Sequence, residues 1–449
     1  MRMRIWLAVL ACLCFAYPAA LGAQPSGGEQ ALLASRTMEV LAVMQRRQPA
    51  SEVFNQRFLN EVPPKKLDDI VSQLEAQYGN LTGANVVGLA GPNTANVTLQ
   101  FERAHAAAII VLDPVLPRRV SGFRITSVGS ASTVRKPGTA RNPGSPAPRS
   151  IAPRSIAEEF AALPGSAGFT LARLDDSGPV SLDARLPNQL FAIGSAFKLW
   201  VLDAVAEEVA SGRLSWQQVV RLGPRSLPSG VLQDWPQDAP VTVESLATLM
   251  ISVSDNTATD TLIRQVGRDR VEARVAASGH SQPSAMHPFL TTAEAFRLKL
   301  GPQAVRDGYA RGDGNARLQM LGAMPAGIDA SSTDFSSLAS GRPVAIDCAE
   351  WFASPGDIVR ILDALRRRSD PRVLAILGVS PGMSRDMRGQ FAAVGYKGGS
   401  EPGVLNLSWL LRRPSGNWYA VTVSWNNPAA AVDTIRLELL AQRLIDQAR

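Results

Sequence analysis

The chain has 449 residues, 45% of them hydrophobic and 19% charged, with 36 Gly and 31 Pro. This is ordinary globular material for two or three domains, and it excludes a disordered or collagen-like chain. The net charge of +7 is matched by Arg2 and Arg4 near the start and by Arg135, Lys136, Arg141, Arg149 and Arg154 in an acid-free stretch, so the folded parts are near neutral and nucleic acid is not an expected partner.

Met1-Arg-Met-Arg, the apolar run Ile5 to Tyr17 and the small-residue exit to Ala23 have the plan of a secretory signal over residues 1–23. The run is too short to span a bilayer, which needs about 20 apolar residues, so the expected protein is secreted or periplasmic, with no stable membrane insertion once the signal is cut. Cys12 and Cys14 leave with the leader and lack a convincing lipid-attachment context, which leaves Cys348 as the one thiol. An exported chain with one thiol has no internal disulfide and must rely on packed cores.

Residues 30–128 predict a small α+β domain. Leu32-Leu33, Met38, Leu41 and Met44 recur at helical spacing, as do Leu67, Ile70, Val71, Leu74 and Tyr78 after Pro63-Pro64. From Asn85 the period shortens, and segments around Val86, Val97, Ala107 and Gly122 read as short strands. The domain has no acid pair, His cluster or Gly-rich phosphate loop, and His105 reads as a surface residue at a strand end. Residues 129–155, rich in Gly, Ser, Pro and basic side chains, read as a solvated linker.

The second domain, 156–449, begins with a short helix over Ile156 to Leu163 and a hairpin around Asp175-Asp-Ser-Gly178, and ends with strands Gly403 to Leu411 and Trp418 to Trp425 before a helix from Ala431 to Ala448. Strands at both ends around a helical middle predict one sheet completed by remote segments, with the first and last helices on one face.

Three motifs in this domain carry chemistry. Ser195 precedes Lys198 by one helical turn at the start of an apolar helix, which puts hydroxyl and amine on one side. A serine needs a base to become a nucleophile, and an amine serves only if desolvation or nearby positive charge lowers its pKa. Taken alone, Ser195 reads as a helix cap and Lys198 as a solvated side chain. Ser254-Asp255-Asn256 adds a hydroxyl able to relay a proton and an amide with donor and acceptor, though it also reads as a turn. Lys397-Gly398-Gly399-Ser400, running into a strand, adds a fixed cation and a backbone that a substrate can approach closely.

In this order the motifs resemble those of the penicillin-recognising serine enzymes, class A β-lactamases and penicillin-binding transpeptidases and carboxypeptidases. The contexts Phe-Ala-Ile-Gly-Ser195-Ala-Phe-Lys198-Leu and Ser254-Asp-Asn-Thr-Ala-Thr-Asp260 look especially like class A, and the likeness runs from about residue 156 to the end. The resemblance implies an antiparallel sheet flanked by helices plus an all-helical subdomain, and an acyl-enzyme formed on Ser195. It implies Lys198 as base or holder of the base, Ser254 as proton relay to the leaving nitrogen, Lys397 as guide for a substrate carboxylate, and Asn256 as holder of the substrate's amide side chain. The N–H groups of Ser195 and Ser400 become the oxyanion hole, with Gly398 and Gly399 lining the approach. No metal or organic cofactor is implied, the partner is a small amide or ester such as a β-lactam or a peptidoglycan-like compound, and the sequence sets no oligomeric state. The first domain resembles, on element order alone, small cone-shaped nuclear-transport-factor-like modules.

Two departures qualify the activity. Gly398 stands where the family has Thr or Ser, with Ser400 as a nearby hydroxyl. The family's deacylating Glu-x-x-Leu-Asn loop is missing, and the corresponding stretch Ser278 to Leu290 holds no acid, only His280 and His287. Glu294 follows in a capping-box pattern, and Gly301 to Asp347 reads as an insertion, with Asp329, Asp334, Asp347 and Glu350 in or after it. The expected activity is β-lactam hydrolysis. The alternatives are a slowly deacylating D-alanyl-D-alanine carboxypeptidase or esterase, and a non-catalytic cell-wall-binding protein.

Overall fold

A computed structural model of the chain describes residues 27–91, 93–113, 115–130, 155–324, 342–383 and 385–448. The expected signal and most of the expected linker lie outside these residues. The chain divides into two units, Met1–Ile151 and Ala152–Arg449.

In the first unit, the apolar spacing at Leu33, Val40, Leu41 and Met44 makes helix α1 (Gly27–Met44), and Pro64 opens α4 (Pro64–Tyr78) at the first turn, where a missing N–H costs nothing. Between them lie two short helices that residue spacing did not reveal, α2 (Ala50–Val53) and α3 (Gln56–Glu61), the latter capped by Asn55. Four strands follow, β1 (Leu81–Gly91), β2 (Thr94–Phe101), β3 (Ala104–Leu112) and β4 (Val120–Ser130), paired antiparallel in chain order. Alternate residues Val97, Leu99 and Phe101 of β2 and Ala106, Ala108 and Ile110 of β3 are buried, the period-two pattern of a sheet with one covered face.

The second unit starts with α5 (Ile156–Ala161), closed at its N-terminus by a capping box between Ser155 and Glu158, and the hairpin β5 (Ser166–Asp175) and β6 (Gly178–Arg185). A short strand, β7 (Phe191–Ala192), leads through a 3-10 turn, Gly194–Phe197, into α6 (Lys198–Ala210). Strands β8 (Val219–Arg221) and β9 (Pro240–Thr242) form a small ribbon before α7 (Val243–Ser252), α8 (Asn256–Val266) and α9 (Arg268–Ala277). Then come α10 (Thr292–Leu300), α11 (Gln303–Arg311), α12 (Gly314–Ala323), β10 (Phe352–Ala353), α13 (Pro355–Arg366), α14 (Pro371–Gly378) and α15 (Arg385–Arg388). Strands β11 (Ala393–Glu401), β12 (Val404–Arg412) and β13 (Trp418–Asn426) and helix α16 (Thr434–Gln447) end the unit.

The large sheet has the order β11-β12-β13-β5-β6, antiparallel throughout, so β13 near the end of the chain pairs with β5 near the start of the unit, from Trp418↔Leu174 to Asn426↔Ser166. One face packs on α5 and α16 through Phe160, Phe169, Trp425, Leu437 and Leu444. The other face meets the helical region through Leu410, Ala420, Ile358 and Leu362. The expected arrangement is present, an antiparallel sheet flanked by helices with a helical subdomain. Helix α6 is buried nearly all round, its Lys198, Asp203 and Glu208 included, and Trp200, Val201, Leu202 and Val205 are fully buried.

Part of the stretch read as an insertion, 301–347, is regular structure, because Asp313 caps α12 and Tyr309 of α11 is buried against the helical core. Asp329 and Asp334 lie outside the described residues.

Candidate active site

The segment before Ser195 is fixed on every side. Strand β7 pairs with β10, and the amide of Asn426 brackets Ala192, accepting its N–H at 2.8 Å and donating to its carbonyl at 2.9 Å. Ile193 N–H donates to the Trp351 carbonyl at 3.1 Å, and the Trp351 ring stacks on Phe197 at 3.7 Å. Gly194 turns the chain with φ +49°, a left-handed conformation that a residue with a Cβ rarely adopts. Ser195 therefore stands in a 3-10 turn and not in the helix, which begins with Lys198.

Lys198 is fully buried, and its Nζ meets four oxygens: the Ser254 carbonyl at 2.7 Å, Asn256 Oδ1 at 2.7 Å, Ser254 Oγ at 3.1 Å and Ser195 Oγ at 3.2 Å. Burial, with the charge of Lys397 second, holds this amine well below the usual lysine range. The two shortest contacts go to groups that can only accept, so a neutral amine spends both its N–H bonds there and keeps its lone pair for a hydroxyl. Ser195 Oγ lies within proton-transfer reach of that lone pair.

Ser254 has φ +59°, an uncommon backbone for a non-glycine residue. It is held by its neighbour: the buried Asp255 caps α8 by accepting from Ala258 N–H at 2.8 Å and also receives Val231 N–H at 2.7 Å and Leu232 N–H at 2.8 Å. The twist sends the Ser254 carbonyl to Lys198 and its hydroxyl between two amines, since Lys397 Nζ also donates to Ser254 Oγ at 3.1 Å. Burial lowers the Lys397 amine to about 7. Asn256, expected to face substrate, uses its Oδ1 on Lys198 and donates an N–H to the Leu227 carbonyl at 3.3 Å, so in this arrangement it orients the Lys198 amine.

Lys397, Gly398 and Gly399 lie inside β11 and not ahead of a strand. A Cβ on Gly399 would overlap the Ile193 carbonyl and come within 2.5 Å of Ser195 N and 2.7 Å of Ala196 N, so only glycine lets β11 lie against the Ser195 turn. Ser400 N is on the same wall, 3.1 Å from where a Cβ on Gly194 would be. The Ser400 side chain is exposed. The glycine at 398 also has a local reason: a Cβ there would meet the Tyr396 hydroxyl, and Tyr396 packs on Trp409. Beneath this wall the sheet is polar, with Asn406, Ser408, Thr422 and Ser424 fully buried and hydrogen-bonded to one another.

The structure thus brings Ser195, Lys198, Ser254, Asn256 and Lys397 into one hydrogen-bonded cluster, with Gly399 and Ser400 against it. The other candidate acids and bases have separate partners. Glu294 closes a capping box with Thr291 and pairs with Arg268 at 2.7 Å. His280, buried and with its pKa pulled down by that burial, bonds the Phe352 carbonyl at 3.0 Å. His287 pairs with Glu272 at 3.0 Å. Glu350 is bound by the buried Lys299, which also holds Glu401, a cluster that three scattered residues did not reveal in the sequence. Sequence spacing also missed Asp260, whose carboxylate accepts from Ser226 Oγ, Thr292 N–H and Ala293 N–H and so ties α8 to α10. Among the described residues no group of three His, Cys, Asp or Glu could hold a metal, and no helix is long and apolar enough to cross a membrane.

A family model described as "Beta-lactamase enzyme family" matches residues 152–446. No curated protein matches the chain. Among solved structures, the chain is similar to a beta-lactamase from Sphaerobacter thermophilus DSM 20745, at 23% identity over 65% of this chain and 95% of that one, with a TM-score of 0.44. It is similar to a beta-lactamase from Chitinophaga pinensis DSM 2588 at 18% identity, over 66% of this chain and 98% of that one, TM-score 0.43. It is also similar to the protein PBP-A at 18% identity, over 65% of this chain and 93% of that one, TM-score 0.43.

Proposed function

The chain belongs to the beta-lactamase enzyme family, and from that premise we propose that it is an exported serine hydrolase that opens a β-lactam, or a related amide or ester, through an acyl-enzyme on Ser195. The observation that carries this reading is the convergence of Ser195, Lys198, Ser254 and Lys397 on shared hydrogen bonds. Neutral Lys198 takes the Ser195 proton as Oγ attacks the carbonyl carbon. The N–H groups of Ser195 and Ser400 receive the developing oxyanion, where charge stabilisation by fixed donors is worth most. Ser254, between the two amines, passes a proton to the leaving nitrogen, and charged Lys397 holds the substrate carboxylate. Export rests on the leader at residues 1–23, and the first unit, read as a nuclear-transport-factor-like module, serves docking or ligand positioning.

A second reading within the same chemistry is favoured by the partners of the histidines. The stretch 278–290 carries no acid, and His280 and His287 are both engaged with other groups, which favours slow release of the acyl group, as in a penicillin-binding carboxypeptidase or esterase. Mixing the protein without residues 1–23 with a chromogenic cephalosporin separates the readings. Sustained colour identifies a lactamase. A single-equivalent burst identifies the slow relative. No colour above that of Ser195→Ala removes the enzymatic reading and leaves a cell-wall-binding protein.

A further inference from the structure

Alternate residues of a strand share a face, so Lys397, Gly399 and Glu401 of β11 all point to the same side. The first reaches Ser254 and the second lies on Ser195 N. The third, one residue beyond the Ser400 N–H, turns inward to Lys299 of α10, an ammonium with 2% of its side chain exposed. The same Nζ donates to Glu350 at 2.5 Å. Glu350 in turn precedes Trp351, whose carbonyl accepts Ile193 N–H and whose indole N–H donates to the Leu290 carbonyl at 3.0 Å. One lysine therefore ties together the two walls between which the Ser195 turn is held.

We propose that the Lys299–Glu350–Glu401 cluster sets the position of the Ser400 N–H against the Ser195 turn, with Glu401 as a positioning residue for acylation. This rests on the reading of Ser400 N–H as an oxyanion donor. Two carboxyls and one ammonium, all nearly shut off from water, balance their charge only if the carboxyls keep one proton between them. Burial, then the neighbouring Glu350, pushes the Glu401 carboxyl well above the ordinary range. The charged groups facing it are Lys299 and Glu350. Arg306 of α11 is engaged with the carbonyls of Lys299 and Gly301, and Asp347 and the Cys348 thiol lie further back on the segment of Glu350.

The direction of the pH effect follows from a folded-state pKa raised above its unfolded value: the clamp is complete at low pH and is lost as pH rises through the folded value. A second negative charge then sits buried beside the first, and the end of β11 loosens. Glutamine copies the protonated acid and cannot make that change.

The test is the rate of benzylpenicillin adduct formation, followed by intact mass from pH 5.5 to 9.5, with the full-length mature protein and its Glu401→Gln and Glu401→Ala variants. Glu401→Gln is expected to acylate within about 3-fold of the parent at pH 7 and to lose the alkaline fall in the limiting acylation rate. Glu401→Ala is expected to lose at least ~10-fold in limiting rate with little change in penicillin affinity, a fraction of the 10²–10³ that removal of an oxyanion donor costs. Superimposable pH profiles for parent and Glu401→Gln, or a Glu401→Ala variant as fast as the parent, overturn the proposal. Absence of both adduct and lactam consumption in the parent overturns the acylation reading and this one with it, whereas a parent that forms adduct or consumes lactam with unchanged variants overturns this one alone.

Discussion

At the scale of single residues, the cluster works because two lysines share one serine hydroxyl in a buried site. Lys198 is held well below the usual lysine range, because burial and the charge of Lys397 both disfavour its ammonium form. Replacing it with alanine removes a positioned base, and the Lys198→Ala variant is expected to acylate at least ~10²-fold more slowly by intact mass. Lys397, lowered to about 7 by burial, is charged below that value and neutral above it in the free protein. Affinity for an anionic β-lactam is therefore expected to fall as pH rises through about 7, while a lactam lacking the carboxylate shows no such fall. The Ser-x-x-Lys pair was legible in the sequence because residues three apart share a helix side. Glu401 was not, because its partners at 299 and 350 come from distant segments and only the fold brings them to one point.

At the scale of elements, the strained backbone of Ser254 depends on one carboxylate. Asp255 caps α8 and also receives two N–H groups from the segment at Val231 and Leu232. Asp255→Ala leaves three backbone donors, two of them buried, without their acceptor and is expected to cost about 3 kcal/mol in chemical denaturation. Unchanged stability contradicts the role given to this cap. Strand β11 supplies a second case. Gly398→Thr, which restores the family's hydroxyl, brings a Cβ against the Tyr396 hydroxyl and is expected to lower the thermal midpoint, with Tyr396→Phe recovering most of the loss. Some elements were legible from local signals: Glu294 closes a capping box with Thr291 at the start of α10, as its pattern predicts. The 3-10 turn at Ser195 was hidden, because it is imposed by the Trp351 carbonyl and by contact with Gly399, not by its own composition.

At the scale of the whole molecule, the β-lactamase-like unit closes its sheet by pairing β13 with β5, whose ends are far apart in sequence. Strands at both ends around a helical middle made this closure legible, as did the apolar faces of α5 and α16. The placement of β11 on the Ser195 turn was not legible, since it depends on glycines whose reason lies in the packed neighbours. The hydrophobic clusters on the two faces of this unit's sheet are made of residues from 156 onward, and so is the cluster of Ser195, Lys198, Ser254 and Lys397. A chain of residues 152–449 is accordingly expected to fold and to acylate like the longer protein; loss of acylation in that chain, with folding intact, places a needed group in the first unit.

The central claim is that Ser195 becomes covalently acylated. Brief exposure to benzylpenicillin, acid quench, proteolysis and peptide mass mapping test it directly: the account predicts the penicilloyl mass on the peptide that carries Ser195 and its absence in Ser195→Ala. A modified peptide elsewhere, or lactam consumption undiminished in Ser195→Ala, contradicts it.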